Sequence, residues 1–362
     1  MNIRRHIIYL GWQGFQNFGD DLLYATWKVA LGTPLRIQAP LTRRDYAAAA
    51  PRFFSQRVRT LSGERLVLLG GGTTVGFASW GAHARNAMTY YDAHALVVAG
   101  AGAASSDDTF ALGLQRTDWA QWGALPNVAL FGVRGPLTSE ECQRHWRPAP
   151  VIGDPALLYT RYAMPLPTPA ARPVVGVCLG ASPVSRFSVE VVADAIRIYL
   201  AAHPGTTVRV VQLSPEDAGA AHNLVKALGN GTSAEIVAYS GDVHGMMQAI
   251  AGCSLLLSER LHGTVAGVAC GIPTVPLAYA SKCDDFWLSV SGERPALGVT
   301  ANSHLIADEL EKATEPGRIF SVASRTTALQ DRLESAAEQL RRWHAGQQPA
   351  VGLGRYTERA EA

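Results

Sequence analysis

The stretch from Cys253 to Leu277 limits the possible fold more than any other part of the chain. Cys253–Leu257 is a short apolar run that reads as a buried parallel strand. Ser258, Glu259, Arg260 and His262 follow at its carboxyl end, and then come Gly263, Thr264, Ala266, Gly267 and Ala269. Residues this small suit a helix packed tightly on a sheet, with its amino terminus beside Arg260 and His262. Gly271-Ile272-Pro273 ends the helix, Thr274–Leu277 reads as the next strand, and Lys282 is expected on the loop after it. A strand, a helix and a second strand in this order require a parallel α/β sheet. Ligands of such sheets bind outside the carboxyl ends of the strands. Arg260, His262 and Lys282 should therefore converge on an anion site that also holds a titratable imidazole.

The rest of the chain repeats the same rhythm. His6–Leu10 is a strand, followed by the glycine-containing loop from Gly11 to Asp21 and a helix over Leu22–Leu31. Asn17, Asp20 and Asp21 stand where helix caps are found; alternatively, Asn17 or Asp20 faces the crevice at the strand end. Leu35–Gln38, Leu66–Leu69, Ala95–Ala99 and Val128–Val133 read as further strands. Gly70-Gly71-Gly72 follows the third of these strands, where bare backbone lets a ligand approach. It matches neither a GxGxxG fingerprint nor a Walker A loop, which argues against the usual modes of dinucleotide or nucleoside triphosphate binding. Arg134 ends the Val128–Val133 strand, and Asp154 precedes Pro155, where it either caps or orients Arg134. Prolines 165, 167, 169 and 173 mark a linker. A second series of strands then follows, at Val174–Leu179, Val208–Leu213 and Glu235–Val237, with helices over Val189–Ala202 and Val243–Ala251. The expected domains are 1–162 and 174–320, joined by a linker at 163–173. A long helix over 321–345 packs back onto the chain, its apolar stripe running through Val322, Thr326, Leu329, Leu333, Ala336, Leu340 and Trp343, and a frayed tail occupies 346–362.

With 362 residues there is enough chain for two cores. A formal charge of +2 implies no polyanionic partner such as nucleic acid. No apolar run approaches the roughly 20 residues of a membrane span, and Ile7–Leu10 is too short for a signal-peptide core. The five cysteines are odd in number and lack metal-site spacing, so reduced cytoplasmic thiols and no metal are expected.

In order along the chain stand Asn17-Phe18-Gly19-Asp20-Asp21, Gly70-Gly71-Gly72, Val133-Arg134-Gly135-Pro136, Gly153-Asp154-Pro155-Ala156 and Ser258-Glu259-Arg260-Leu261-His262-Gly263, followed by Lys282. Taken together, from about Gly11 to Phe286, they resemble the polysaccharide pyruvyl transferase family. The resemblance implies two Rossmann-like α/β domains in a GT-B-like arrangement, each with a mostly parallel sheet flanked by helices. It also implies transfer of pyruvate from phosphoenolpyruvate (PEP) to two hydroxyls of a sugar in a polysaccharide or glycolipid, forming a cyclic ketal with no cofactor.

On that resemblance His262 is the acid/base residue and Asp20 its rival. Arg134, Arg260, Lys282, Gly71 and Gly72 bind PEP, and Asn17, Asp154, Ser258 and Glu259 serve the acceptor or support the site. The residue types fit this chemistry, because guanidinium forks and a lysine suit a ligand with a carboxylate and a phosphate close together. One departure concerns Gly180-Ala181-Ser182-Pro183, where many relatives carry an arginine; Arg186 stands nearby. Two other readings use the same residues: a GT-B glycosyltransferase acting on a nucleotide sugar, and a non-catalytic glycan- or anion-binding module. The expected location is the cytoplasm, including a peripheral position at the inner face of the membrane.

Overall fold

A computed structural model of the chain describes residues 4–32, 35, 37–163, 172–180, 187–349 and 353. The prolines expected in the linker at 165, 167 and 169, the segment 181–186 with Ser182 and Arg186, and nearly all of the expected tail beyond 349 lie outside these residues. The chain divides into two compact units. One comprises Met1–Gly11, Thr26–Pro155 and Leu329–Ala362; the other comprises Trp12–Ala25 and Ala156–Ala328.

Among the described residues, the first unit contains β1 (Arg4–Leu10), β2 (Ile37–Gln38), β3 (Gly63–Leu69), β4 (Thr73–Val75), β5 (Ala95–Ala103) and β6 (Val128–Val133). Their order is β2-β1-β3-β5-β4, with β6 also paired to β5, and every pairing is parallel. Leu66–Leu69 and all of β5 are buried, as expected for strands covered on both faces. Ile8, Leu10, Val67, Leu69 and Val98 form the core with Phe77, Trp80, Tyr91 and Trp122.

The strand expected over Ala95–Ala99 is longer than predicted. After the glycine triplet the chain rejoins the sheet as β4, and Thr73 and Val75 pair with Gly102 and Ala103. The triplet is thus a kink between two strands that flank β5. Gly71 and Gly72 take φ of 127° and 76°, in the left-handed region that favours glycine.

The second unit contains β7 (Val174–Cys178), β8 (Thr207–Gln212), β9 (Ala234–Ala238), β10 (Leu255–Ser258) and β11 (Thr274–Pro276). Their order is β11-β10-β7-β8-β9, again all parallel. Val175, Val177, Ile196, Val208, Leu224, Leu257, Val275 and Leu310 lie in its core. Ser258 pairs with Cys178 on one side and Pro276 on the other, so three neighbouring strands end level.

The glycines of the Leu261–Ala269 helix set how closely it approaches the sheet. A Cβ at Gly267 would stand 2.5 Å from Thr274 Oγ1 and 2.7 Å from Leu256 Cδ2, and a Cβ at Gly263 would collide with Ser258 Oγ.

The long terminal helix spans Pro316–His344, beginning before the expected residue at a proline, which suits a first helical position. Thr326, Leu329, Leu333, Ala336, Leu340 and Trp343 of its expected stripe are buried. No helix among the described residues is long and apolar enough to cross a membrane.

Candidate functional site

The chain reverses direction across the second sheet between β7 and β10, which is where α/β sheets bind ligands. The backbone ladder continues into the loops there. Glu259 N–H donates to Cys178 O (2.8 Å), and Leu277 N–H donates to Ser258 O (2.8 Å). Ser258 is buried, and its Oγ donates to Arg260 O (2.8 Å), fixing the turn into the helix. Glu259 is 1% exposed, and its carboxylate accepts from Gly180 N–H (2.8 Å) and Phe187 N–H (3.4 Å). One buried carboxylate therefore holds both described ends of the loop after β7, which makes Glu259 a supporting residue.

Arg260 caps the Leu261–Ala269 helix in an extended conformation. Its guanidinium is already engaged. Asp217, fully buried at the end of β8, takes the Nε–Nη2 edge, with Nε at 3.1 and 3.2 Å from the two carboxylate oxygens and Nη2 on Oδ1. Burial alone would lower the Arg260 pKa. The hydrogen bonds and charge of Asp217, with smaller contributions from Cys178 and Tyr279, outweigh it and hold the pKa above its ordinary value. Cys178, wholly enclosed beneath this pair, is pushed up to about 12, chiefly by burial, and is an inert thiol.

His262 is the second residue of the helix and half-buried. Its ring occupies the space where a side chain at Gly19 would begin. A Cβ on Gly19 would lie 2.5 Å from His262 Cγ and 2.9 Å from its Cβ, with Nδ1 nearer still. Gly19 is therefore glycine because an imidazole rests on it. Its neighbours hold that contact in place. Asn17 Oδ1 accepts from Gly19 N–H (3.0 Å), a helix-capping bond, and Phe18 N–H donates to Leu213 O (3.0 Å). The helix begins at Phe18, four residues before the predicted Leu22, because Asn17 caps it. Asp21 Oδ1 accepts from Gly14 N–H (2.6 Å), and its Oδ2 accepts from Tyr239 Oη (2.8 Å). That commits Asp21 to structure and leaves Asp20, half-buried beside Gly19, as the acidic candidate.

Lys282 is not on a loop as expected. Ala280 is extended at φ −153°, and the Ser281–Ser291 helix starts immediately after it, so Lys282 occupies the first turn. Its Nζ lies 5.0 Å from the centroid of the Tyr279 ring. A cation in a first helical turn opposes the helix dipole, so helix stability does not account for it there.

Asn17, Asp20, Ser258, Glu259, Arg260, His262 and Lys282 thus belong to the second unit. Gly71, Gly72, Arg134 and Asp154 belong to the first, where Arg134 and Asp154 are both fully buried. Arg134 Nη1 donates to Thr73 Oγ1 (3.2 Å) and lies over Gly102, where a Cβ would stand 2.8 Å from it. Gly72 O accepts from Gly102 N–H (2.7 Å). Arg134 therefore braces the kink that follows the glycine triplet. Among the described residues no group of three His, Cys, Asp or Glu side chains is placed to hold a metal ion.

The family model for polysaccharide pyruvyl transferase matches residues 17–281. The chain belongs to this family. The match begins at the capping Asn17 and ends one residue before Lys282. No curated protein matches the sequence of this pyruvyl transferase family member. Solved structures similar to it include the S. aureus MnaA–UDP co-structure, with 11% identity, a TM-score of 0.66, and 96% of this chain and 98% of that one covered. A putative UDP-N-acetylglucosamine 2-epimerase from Listeria monocytogenes is similar at 11% identity and a TM-score of 0.65, over 96% and 98% of the two chains. The UDP-GlcNAc 2-epimerase from Neisseria meningitidis, bound to UDP-GlcNAc, is similar at 9% identity and a TM-score of 0.56, over 93% and 99%. At these identities the likeness shows the fold: two Rossmann-like domains of the GT-B-like class.

Three features of this family member were not read from its sequence. Asp217 follows β8 in Ser214-Pro215-Glu216-Asp217, but nothing in that string marks it as the partner of Arg260. Tyr279 lies near both Arg260 and Lys282. Trp12 and Phe15, 45% and 60% exposed, stack with ring centroids 4.6 Å apart on the loop leading to Asn17. Two aromatics flanking a glycine in the first glycine-rich loop were the available signal.

Proposed function

We propose that the chain moves pyruvate from PEP onto two hydroxyls of one sugar in a polysaccharide or glycolipid, forming a cyclic ketal. Family membership across 17–281 carries this reading. In it the anion sits at the amino terminus of the Leu261–Ala269 helix. Asp217 holds one edge of Arg260, so Nη1 reaches the ligand, and Lys282 supplies a second cation. His262 delivers a proton to the methylene carbon of PEP, leaving an oxocarbenium-like C2. A sugar hydroxyl adds to C2 and gives up its proton to Asp20. The bond from C2 to the phosphate oxygen then breaks and inorganic phosphate leaves with the electron pair; the second hydroxyl adds to the oxocarbenium-like C2, returning its proton to His262, and closes the ketal. Trp12 and Phe15 offer the acceptor sugar an apolar face to stack on. All five cysteines are free thiols, and we assign the reaction to the cytoplasm.

A second reading has one specific observation behind it. Two structurally similar proteins hold UDP or UDP-GlcNAc. On that reading the chain is a glycosyltransferase, and Arg260 and Lys282 bind a diphosphate. The test incubates the protein with a panel of hexosides and either PEP or UDP-sugars, and follows acceptor mass and phosphate release. A gain of one pyruvate less one water, with one phosphate released, supports pyruvyl transfer. A hexose gain only with UDP-sugars replaces it with the second reading. Binding without turnover of either donor leaves a binding module.

A further inference from the structure

The Ala50–Thr60 helix of the first unit carries an apolar stripe on its outer side. Phe54, Val58 and Leu61 recur at spacings of four and three and are 63%, 65% and 58% exposed. The opposite side is the packed one. Phe53 meets Tyr46, Tyr90 and Tyr91 edge-on, and Gln56 accepts from Tyr91 Oη (2.9 Å). The core therefore makes no use of the outer stripe.

Arginines accompany that stripe. Arg52 and Arg59 on the same helix are exposed, and Arg57 is half-buried and approaches Asp92 (3.8 Å). Residues 43–65 contain six arginines, of which Arg43, Arg44, Arg52 and Arg59 are exposed while Arg65 is buried against Asp92 (2.8 Å), and two acids, Asp45 and Glu64. Both acids are engaged locally, Asp45 in a capping box with Thr42 and Glu64 with Arg5 (2.8 Å).

We propose that this face docks on a bilayer of anionic phospholipid. Phe54, Val58 and Leu61 enter the boundary between headgroups and acyl chains. The exposed arginines meet lipid phosphates. A narrow apolar stripe on a helix rich in arginine and low in overall hydrophobicity is the pattern that lies in a membrane interface. Arginine forks match phosphate oxygens. The inference uses none of the residues assigned to pyruvyl transfer.

The test floats the full chain with vesicles of phosphatidylcholine, alone or mixed with phosphatidylglycerol, at low and high salt. Two variants accompany it: Phe54→Ser/Val58→Ser and Arg52→Glu/Arg59→Glu, all at exposed positions. The expected result is binding to the anionic vesicles only, weakened about tenfold or more by either variant and by salt. Failure to bind anionic vesicles, or binding unaffected by both variants, overturns the proposal. It is also overturned if sedimentation velocity finds a dimer that Phe54→Ser/Val58→Ser dissociates, or if a DNA duplex binds equally tightly through the same arginines.

Discussion

Replacing Gly19 by alanine tests the placement of His262 without touching an ionisable group. The new methyl would lie 2.5 Å from His262 Cγ and nearer still to Nδ1, whereas ordinary contact begins at 3.4 Å, so the ring must retreat by more than about 0.9 Å. Swinging the imidazole about its own bonds cannot relieve the clash, because the approach to His262 Cβ is also short, at 2.9 Å. Either the Leu261–Ala269 helix shifts or the ring leaves its position. Overpacking of this kind costs about 1–3 kcal/mol, partly offset by roughly 0.8–1 kcal/mol of alanine's better helix propensity. A misplacement near 1 Å costs about 10²-fold in rate. Turnover should therefore fall about 10²-fold, with PEP affinity little changed and the fold intact by circular dichroism. Gly219→Ala is the control: it lies in the Ala218–Leu228 helix of the same unit with nothing near its would-be Cβ, and should be neutral. Near-normal turnover in Gly19→Ala would refute the argument that His262 must sit where it does to act.

Turnover in His262→Gln and Asp20→Asn, with PEP affinity measured alongside, separates the two acid/base candidates. The histidine variant should lose about 10²–10⁴-fold in rate, and a dead aspartate variant beside an active histidine variant would reverse the assignment. Asp217→Ala strands the Arg260 guanidinium and should destabilise the fold by about 3–5 kcal/mol in urea titration; unchanged stability would show that the pair contributes little. Trp12→Ala and Phe15→Ala should raise KM for the acceptor but not for PEP, and equal effects on both would remove the stacking role. His6 and His344 are held below their ordinary value near 6.5, each chiefly by burial, His6 then by the His344, Arg65 and Arg4 charges and His344 by Arg5. The unfolded chain then binds protons first as pH falls through 6.5, so stability should decline from there toward the folded pKa values. His6→Gln/His344→Gln should flatten that decline in urea midpoints measured from about pH 8 to pH 5, and an unchanged slope would exclude these two residues as its cause.

The parallel α/β architecture was legible because each buried strand is a short apolar run ended by glycine or polar residues. Val128–Val133, Val189–Ala202 and Val243–Ala251 have the bounds their patterns suggested. Lys282 was misread as a loop residue because Ala280 carries no capping side chain to announce the helix after it. The strand β4 that follows the glycine triplet was not legible because its partner, β5, lies later in the chain.

Local spacing alone brought Ser258, Glu259, Arg260 and His262 to one strand end, since a strand that stops at Ser258 leaves the next four residues at the carboxyl edge of its sheet. Tertiary structure decided what each of them does there. Asp217 claims half of Arg260 because β8 ends near β10, with β7 between them. Glu259 became a brace because Gly180 and Phe187, on either side of the loop after β7, both donate their N–H groups to it. His262 rests on Gly19 because the Asn17-capped helix packs beside it, a contact between segments far apart in the chain. Residue pattern records propensity and burial along a segment, whereas these pairings depend on how separate segments are stacked. That stacking is set by summed side-chain packing across the sheet, which no single stretch of sequence contains.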